Sequence, residues 1–513
     1  MQQSYTSKYF KIYFWQALSI IFNLVSLFIV TPKLTAQPLI YGTYMVCVSA
    51  TIFLSYADLG FLSACYKYAS ESLALNNIDK EIKLTAFGAF ILFIFICLIS
   101  LGFLFLSFYP QYLIKDIKDI SEISIASRLL LILSIFSVNN VCQRIIQLIF
   151  GIRLDDFIFQ RINIIASAIK ISSVFYFFRG TNYNIVGYFL FSQIVGLLVS
   201  YIGIYIVRRK YKYDFILFIK NFHFSKEIYN YTKLIAYSTL YITIMWILYY
   251  ELDTFVIAKF LGASNVAYFA IGFSLLTVFR TIFGMLYNPF SARFNHFVGS
   301  NDNEGLKQFF INVIAITLPI VLFPIVASAI LMKPFIFSWV GNKFALSVPI
   351  ATFLVLTYLF SYISYPAGII LIAFEQIKKM YIVNTVIAVI YWIGIICTVQ
   401  YFGVISFGLF KFFAFITAGI FYIFYSSNIL KVNKLTFIKQ IFIPIIIPIS
   451  FILTLFLIKP YLPLEKDKFN LLIVIILIGI YTIIASIIYF FVCSIFREYV
   501  KNIYNKVFKK IIL

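Results

Sequence analysis

Along most of this chain the apolar residues do not alternate with polar ones. They run on for about 20 positions at a time and are separated by short polar stretches. Each run is long enough to cross a hydrocarbon core of about 30 Å as a helix. Fourteen such stretches are read, near residues 11–31, 38–58, 84–108, 126–150, 158–178, 184–207, 234–257, 265–290, 308–331, 347–373, 380–400, 403–425, 437–458 and 470–493. A membrane β-barrel would show alternating segments of about ten residues instead. The expected fold class is therefore an all-α polytopic membrane protein with about 14 transmembrane helices. The first run, from near Tyr9, exceeds the 7–15 apolar residues of a secretion signal and is expected to be kept as the first membrane helix. The longest connection, from Arg208 to Lys233, leaves no room for a folded extramembrane domain.

Composition sharpens this picture. The 513 residues are 63% hydrophobic and only 12% charged, about half the charged fraction of a soluble domain. A net charge of +22 in a soluble protein would point to nucleic acid. Here it follows the rule that Lys and Arg collect in cytoplasmic loops, and no nucleic-acid partner is expected. With the N-terminus placed in the cytoplasm, RRKYKY (Arg208 to Tyr213), Lys378 and Lys379, Lys431 to Lys439 and the tail REYVKNIYNKVFKK all fall inside. The tally is about 26 basic residues against about 11 outside, which sets both termini in the cytoplasm. The tail is basic and amphipathic and is expected to lie on the anionic leaflet. Six scattered cysteines and two loop histidines, His223 and His296, supply no metal-type spacing. No metal, cofactor or His-based catalytic set is expected.

The chain also repeats itself at a separation of about 220–228 residues. KLTAQPLIYGTY answers KFLGASNVAY, SACYKY answers SARFNH, NNIDKEIK answers SNDNEGLK, and NIIAS answers NTVIA, always in the same order. Two six-helix lobes in the same orientation are expected: residues 1–210 and 234–430, joined by a cytoplasmic linker at 211–233. Two additional helices occupy 431–495, and the basic tail 496–513. Parallel repeats of this kind place a substrate site near the bilayer midplane, between the lobes.

Several longer motifs now coincide: ADLGFLSACYKYASE (Ala57 to Glu71), DTFVIAKFLGASNVAYFAIG (Asp253 to Gly272), NPFSARFNHFVGSNDNEGLK and SYPAGIILIAFEQIKK. The chain resembles the polysaccharide exporters of the multidrug/oligosaccharidyl-lipid/polysaccharide (MOP) flippase superfamily, in particular the Wzx-type O-antigen flippases related to the lipid II flippase MurJ. The resemblance covers helices 1–12; Wzx members usually have twelve helices, so the last two are an addition. It implies a MATE/MOP-like fold with a V-shaped central cavity. It also implies a bacterial inner-membrane transporter, not an enzyme, that flips undecaprenyl-pyrophosphate-linked oligosaccharide to the periplasmic leaflet by alternating access. Polymerase and chain-length proteins of the same pathway would be its partners. Capsule, exopolysaccharide or teichoic-type glycans are alternative cargoes. A MATE-type drug/cation antiporter and an O-antigen polymerase are the competing functions; the polymerase is disfavoured by the absence of a large periplasmic loop.

The residues themselves lead to a compatible place. Arg144, Lys170, Arg280 and Lys411 lie well inside apolar stretches, where a lipid-facing cation would cost about 2.5–3.5 kcal/mol. Too few acids stand at matching depth to neutralise them. A hydrated cavity lined by these four would favour a pyrophosphate or an acidic sugar. For Arg280 the resemblance adds that MurJ-like relatives carry a lumen arginine in helix 8; Arg144 alternatively snorkels to the interface, and helix–helix pairing competes for the others. Asp253, Glu251 and Asp58 are the candidates for coupling to a proton or sodium gradient, or for gating. Asp253 and Glu251 are read toward the periplasmic end of helix 7 and Asp58 at the cytoplasmic end of helix 2, where a structural role competes. Interior prolines at 319, 324, 366, 444 and 448 are expected to kink their helices.

Overall fold

The computed structural model describes residues 5–54, 56–180 and 183–501. Among these residues there are helices and turns but no strand. The part of the basic tail beyond residue 501 lies outside the described residues.

The chain divides into two compact units, the first ending at Ala270 and the second beginning at Ile271. The first holds α1 (Tyr5–Leu34), α2 (Pro38–Leu54), α3 (Phe61–Ala74), α4 (Ile78–Phe108), α5 (Ile120–Ser137), α6 (Asn139–Ile152), α7 (Asp156–Phe177), α8 (Ile185–Tyr211), α9 (Phe215–Lys220), α10 (Lys226–Trp246) and α11 (Asp253–Phe260). The long α12 (Ala263–Gly299) crosses the boundary. The second unit continues with α13 (Asn303–Ile330), α14 (Met332–Val340), α15 (Ser347–Leu356), α16 (Ser361–Ala373), α17 (Ile377–Phe402) and α18 (Ile405–Ile429). It closes with α19 (Lys434–Phe442), α20 (Ile446–Leu453), α21 (Leu455–Ile458) and α22 (Lys468–Val492).

Eleven helical stretches among the described residues are long and apolar enough to cross a bilayer, or thirteen if two pairs bent by 46° each count as one span. The apolar α2 accounts for the remaining stretch read from the sequence. The all-α polytopic reading therefore holds, with differences at particular ends. The second stretch does not stop at residue 58, because α3 carries it on to Ala74, so SACYKY lies within a helix. SARFNH likewise lies within α12. In both places the polar face of an amphipathic helical extension reads, in sequence, as the start of a loop.

The internal repeat is visible in the backbone. Non-helical turns require residues in the left-handed region, which is uncommon for anything but Gly. Five of these residues in the first half have counterparts in the second: Asn76 with Asn301, Asp116 with Gly341, Leu154 with Glu375, Gly180 with Gly403 and Lys212 with Lys431. The offset is nearly the same in all five pairs and matches the one read from the repeated motifs. The hydrogen bonds match as well. After Asn76 the Asn77 N–H returns to the Ser72 carbonyl (2.9 Å), and after Asn301 the Asp302 N–H returns to that of Phe297 (3.1 Å). Each following side chain then caps the next helix, Asn77 accepting from the Lys80 N–H and Asp302 from the Gly305 N–H. The α6–α7 and α16–α17 turns pair in the same way, Asp155 N–H to Phe150 and Gln376 N–H to Leu371.

Helix breaks follow the prolines only in part: Pro444 lies in the 3₁₀ turn Ile443–Ile445 that separates α19 from α20, whereas Pro448 lies inside α20. α13 runs unbroken through Pro319 and Pro324, and Pro366 lies inside α16. The bend in the tenth stretch falls before α16, between Leu356 and Ser361, and α5 and α6 are divided at the repeat-related position, Val138. An interior proline removes one backbone hydrogen bond and crowds the carbonyl four residues before it, which a helix packed on its neighbours tolerates.

One end of the first unit is held by ionic groups that the sequence does not advertise. Glu81, fully buried in the first turn of α4, accepts two hydrogen bonds from the Arg153 guanidinium (2.9 and 2.8 Å). Arg153 also lies over the rings of Tyr211 and Tyr213, at 4.9 and 5.6 Å. Beside it Asp155 accepts from Lys210 and from the Tyr211 hydroxyl, both at 2.6 Å. Part of the RRKYKY cluster thus belongs to a packed network as well as to a topology signal. Burying a fork-shaped Arg–carboxylate pair is neutral at best, but removing one partner leaves the other charge stranded. Glu81→Ala is expected to cost about 3–5 kcal/mol and to lower the thermal unfolding temperature in detergent. The double change Glu81→Met with Arg153→Leu should recover most of that loss in the same measurement.

Candidate functional site

The three acids singled out in the sequence all stand where a membrane helix is broken. Between α2 and α3 the chain turns through Leu59 (φ 49°) and Gly60 (φ 79°). Neither has a counterpart among the repeat-related turns, so this break is particular to the first unit. Asp58 is 6% exposed, and its carboxylate accepts the Leu62 N–H at 3.1 Å, satisfying one of the free donors at the start of α3. A side chain at position 60 would stand 2.5 Å from the Ala236 carbonyl, so α10 crosses directly against this glycine. A non-glycine residue in the left-handed region beside a buried carboxylate is local strain of the kind that collects at working sites.

Asp58 opens onto a cavity of about 290 Å³. Ser63 and Tyr66 from α3, Arg144 and Gln147 from α6 and Asp156 from α7 also line it. Arg144 lies near enough to act electrostatically on the Asp58 carboxylate. The structure therefore brings together two residues that the sequence reading held apart, a lumen cation and a gating acid. It adds Asp156, which sequence depth did not single out because it sits at the first position of a helix. The Asp58 position itself moves from the end of a helix to the junction of two.

The second break lies in the seventh stretch. α10 ends at Trp246, a π-helical turn covers Ile247–Glu251, and α11 starts at Asp253 with a 46° bend. Glu251 is 3% exposed and Asp253 not at all. They are buried groups at the bend of an element that runs from Lys226 to Phe260, toward its C-terminal end. A single π turn inside an α-helix recurs at functional sites because it widens the ladder by one residue. The Ser49 hydroxyl bonds that of Thr254 at 3.1 Å, fixing α11 to α2.

The cations of the second unit have different settings. Arg280, on α12, is half-buried and acts electrostatically on Tyr365 of α16. The Tyr365 ring stacks on that of Tyr287 at 5.0 Å with 12° between the planes. Lys411, on α18, is completely buried and lies over the Tyr391 ring at 4.9 Å and near that of Phe273 at 5.7 Å. It is expected from depth alone to be hydrated, but here it is fully buried, with two aromatic faces near the ammonium. Lys170, on α7 of the first unit, is half-buried. Two residues that matter to this geometry escaped the sequence reading. Tyr365 has no signal in a chain that is 20% aromatic, and Asp156 has only its proximity to Asp155.

The settings of Arg144 and Arg280 are related through the repeat. The offset that joins Leu154 to Glu375 carries Arg144 onto Tyr365. The offset that joins Asn76 to Asn301 carries Asp58 to Phe283, one helical turn from Arg280. The position of Arg144 is thus held by a phenol in the second half and that of Asp58 by a phenylalanine, so the arginine of the second half stands at a different position of the repeat.

Gly60→Ala is expected to destabilise the first unit by at least about 1–2 kcal/mol, the left-handed penalty for an L residue, with the contact to Ala236 adding to it. The measurement is thermal unfolding in detergent, with Gly284→Ala, where a Cβ meets open space, as the matched control.

No protein-family model and no curated protein matches this chain. Solved structures do. The chain is similar to the lipid II flippase MurJ in an inward closed conformation, with a TM-score of 0.68 and 17% identity over 94% of this chain and 99% of that one. It is also similar to a multidrug resistance MATE family transporter of the MOP superfamily in an inward-facing conformation, with a TM-score of 0.61 and 14% identity over 80% and 95% of the two chains. A Vibrio cholerae MATE transporter aligns with a TM-score of 0.56 and 13% identity over 84% and 98%. The helices, their breaks and their duplicated turns are assembled in the fold shared by the MurJ and MATE transporters.

Proposed function

We propose that this protein is a flippase that moves undecaprenyl-pyrophosphate-linked oligosaccharide across the bacterial inner membrane by alternating access. Both termini are assigned to the cytoplasm from the basic-residue asymmetry. The observation that carries the reading is a MurJ-like fold whose membrane stretches hold basic side chains, Arg280 foremost. A guanidinium that is half-buried within a membrane stretch suits a multivalent phosphate, which it can bind through two parallel hydrogen bonds. Arg144 and Lys170 are assigned to the same task, contacting the anionic group or acidic sugars. Lys411 is reassigned to holding α18 against α12 and α17.

Coupling to a proton or sodium gradient is assigned to the acids at the breaks. Asp58 shares its cavity with Arg144, so protonating the carboxylate would free the guanidinium for an anion. Glu251 and Asp253 flank the end of the π turn, where a change in charge acts on the bend itself. The glycan is O-antigen or a similar surface polymer.

A second reading has a specific observation in its favour. Three carboxylates, each no more than 6% exposed, sit at helix breaks of the first unit. Buried acids of that kind serve a cation-coupled antiporter of the MATE type equally well.

The deciding experiment deletes the gene in cells whose glycan polymerisation and ligation are intact and locates the complete lipid-linked units. Units trapped on the cytoplasmic side, with surface polymer lost, support the flippase. Normal arrival in the periplasm, with altered drug tolerance, supports the antiporter. In complemented cells Arg280→Ala is expected to keep the protein in the membrane and cut export at least tenfold, while Arg280→Lys retains part of it. Full export by Arg280→Ala would remove Arg280 from the proposed substrate contacts.

A further inference from the structure

The connection between α8 and α10 carries a feature that the transport reading does not use. α9 is a single short helix, FILFIK, yet its orientation is fixed. Its first turn is capped by Asp214, which accepts from the Ile216 and Leu217 N–H groups, both at 2.9 Å. One side of it is packed. Phe218 is buried, its ring meets Phe222 at 6.1 Å, and Phe222 in turn lies 5.6 Å from both Phe90 and Phe93 of α4. With that face held, the helix cannot roll. The opposite face presents Ile216 and Ile219 at 82% and 72% exposure, and Phe224 follows at 52%. An isoleucine that shows four-fifths of its surface gains nothing from water, and a packed helix would be expected to hide it.

The charges around this face are mostly positive. Arg208, Arg209, Lys212, Lys220 and Lys226 are all exposed within or beside it. Lys210 is already taken by Asp155. Asp214 is engaged in its cap. Glu227 is the other exposed acid of the segment. The segment follows directly on α8, whose apolar stretch ends at Tyr211, so it stands at the level where a span leaves the hydrocarbon. Apolar side chains aimed outward at that level, ringed by a cluster of cations, match the boundary of a bilayer that carries negative headgroups.

The geometry points to residues 208–226 as a docking surface for anionic phospholipid of the surrounding leaflet, with Ile216 and Ile219 inserted among the acyl chains and the flanking Arg and Lys on the headgroups. This assignment is independent of the cargo. It gives the protein a dependence on lipid charge that does not act through Arg280, Arg144 or the acids at the helix breaks.

The test uses the full chain in nanodiscs of phosphatidylcholine alone or with about one third phosphatidylglycerol. Hydrogen–deuterium exchange is followed in the peptide covering 212–225. Anionic lipid is expected to slow exchange there at least fivefold, and to leave the α4 and α8 interiors unchanged. The variant Arg208→Gln, Arg209→Gln, Lys212→Gln, Lys220→Gln should lose that lipid-charge effect while keeping the wild-type unfolding temperature in detergent. Ile216→Ser with Ile219→Ser should exchange faster in both lipids. Equal exchange of the wild type in the two lipids would overturn the assignment. So would protection that appears in zwitterionic nanodiscs only as protein density rises, which would give the face to a second copy of the chain.

Discussion

Hydrocarbon offers no hydrogen bonds, so every backbone group of a membrane stretch must be satisfied by the protein or by water held within it. The rest of this structure depends on that constraint. A continuous helix meets it automatically. A helix that stops and restarts does not, and each interruption described above comes with a local remedy. At the α2–α3 junction the remedy is a carboxylate: Asp58 takes up the Leu62 N–H. In the seventh stretch the ladder is widened to a π turn, not cut, with Leu252 N–H returning to the Ile247 carbonyl at 2.9 Å. In the tenth, a run of 3₁₀-type bonds carries the chain from Val355 to Ser361. The polar groups that could serve transport are thus also the ones that make the breaks tolerable, and a change at Asp58 touches both roles.

The repeat shows where the protein has departed from its own template. Turns between helices match between the halves to the level of single left-handed residues, because a turn that closes a Schellman-type pair tolerates few alternatives. Helix interiors are freer. The Asp58 break has no partner in the uninterrupted α12, and the arginine beside it on α6 is answered by Tyr365 on α16, while the arginine of the second half lies on α12. Divergence is concentrated in the membrane interior, where the charged pair of the first half, Asp58 and Arg144, falls on Phe283 and Tyr365 in the second.

Much of the fold was legible because its signal is one-dimensional. A stretch of about 20 apolar residues needs no partner to be recognised, and NNIDKEIK against SNDNEGLK already held the matched caps of α4 and α13. The candidate site was legible only in part. Asp58, Glu251 and Asp253 stand out as acids among apolar residues, but that they sit at breaks depends on backbone angles at Leu59 and Gly60 and on a π turn that no local composition specifies. Prolines were a partial guide: Pro444 marks the break between α19 and α20, while α13 continues as helix through two others. Lys411 looked like a hydrated cation because depth was the only evidence; the ring faces that meet it, Tyr391 and Phe273, come from two other helices, α17 and α12. Arg153 and Glu81 could not be paired from the sequence for the same reason.

The separation of that last pair has a meaning in time. Glu81 and Arg153 are 72 residues apart, and a ribosome adds roughly 5–20 residues per second. For about 4–14 s after the first turn of α4 is made, its acid has no guanidinium to meet. During that interval the carboxylate stays in water at the membrane surface, favoured there by the exposed N–H groups of its own helix end. α4 can enter the bilayer early, but its Glu81 side chain can be buried as an ion pair only once Arg153 is made. The Glu81 side chain is therefore closed off by a partner made 72 residues after it, and slowing translation between these two codons would lengthen the exposure of an acid that the finished protein buries completely.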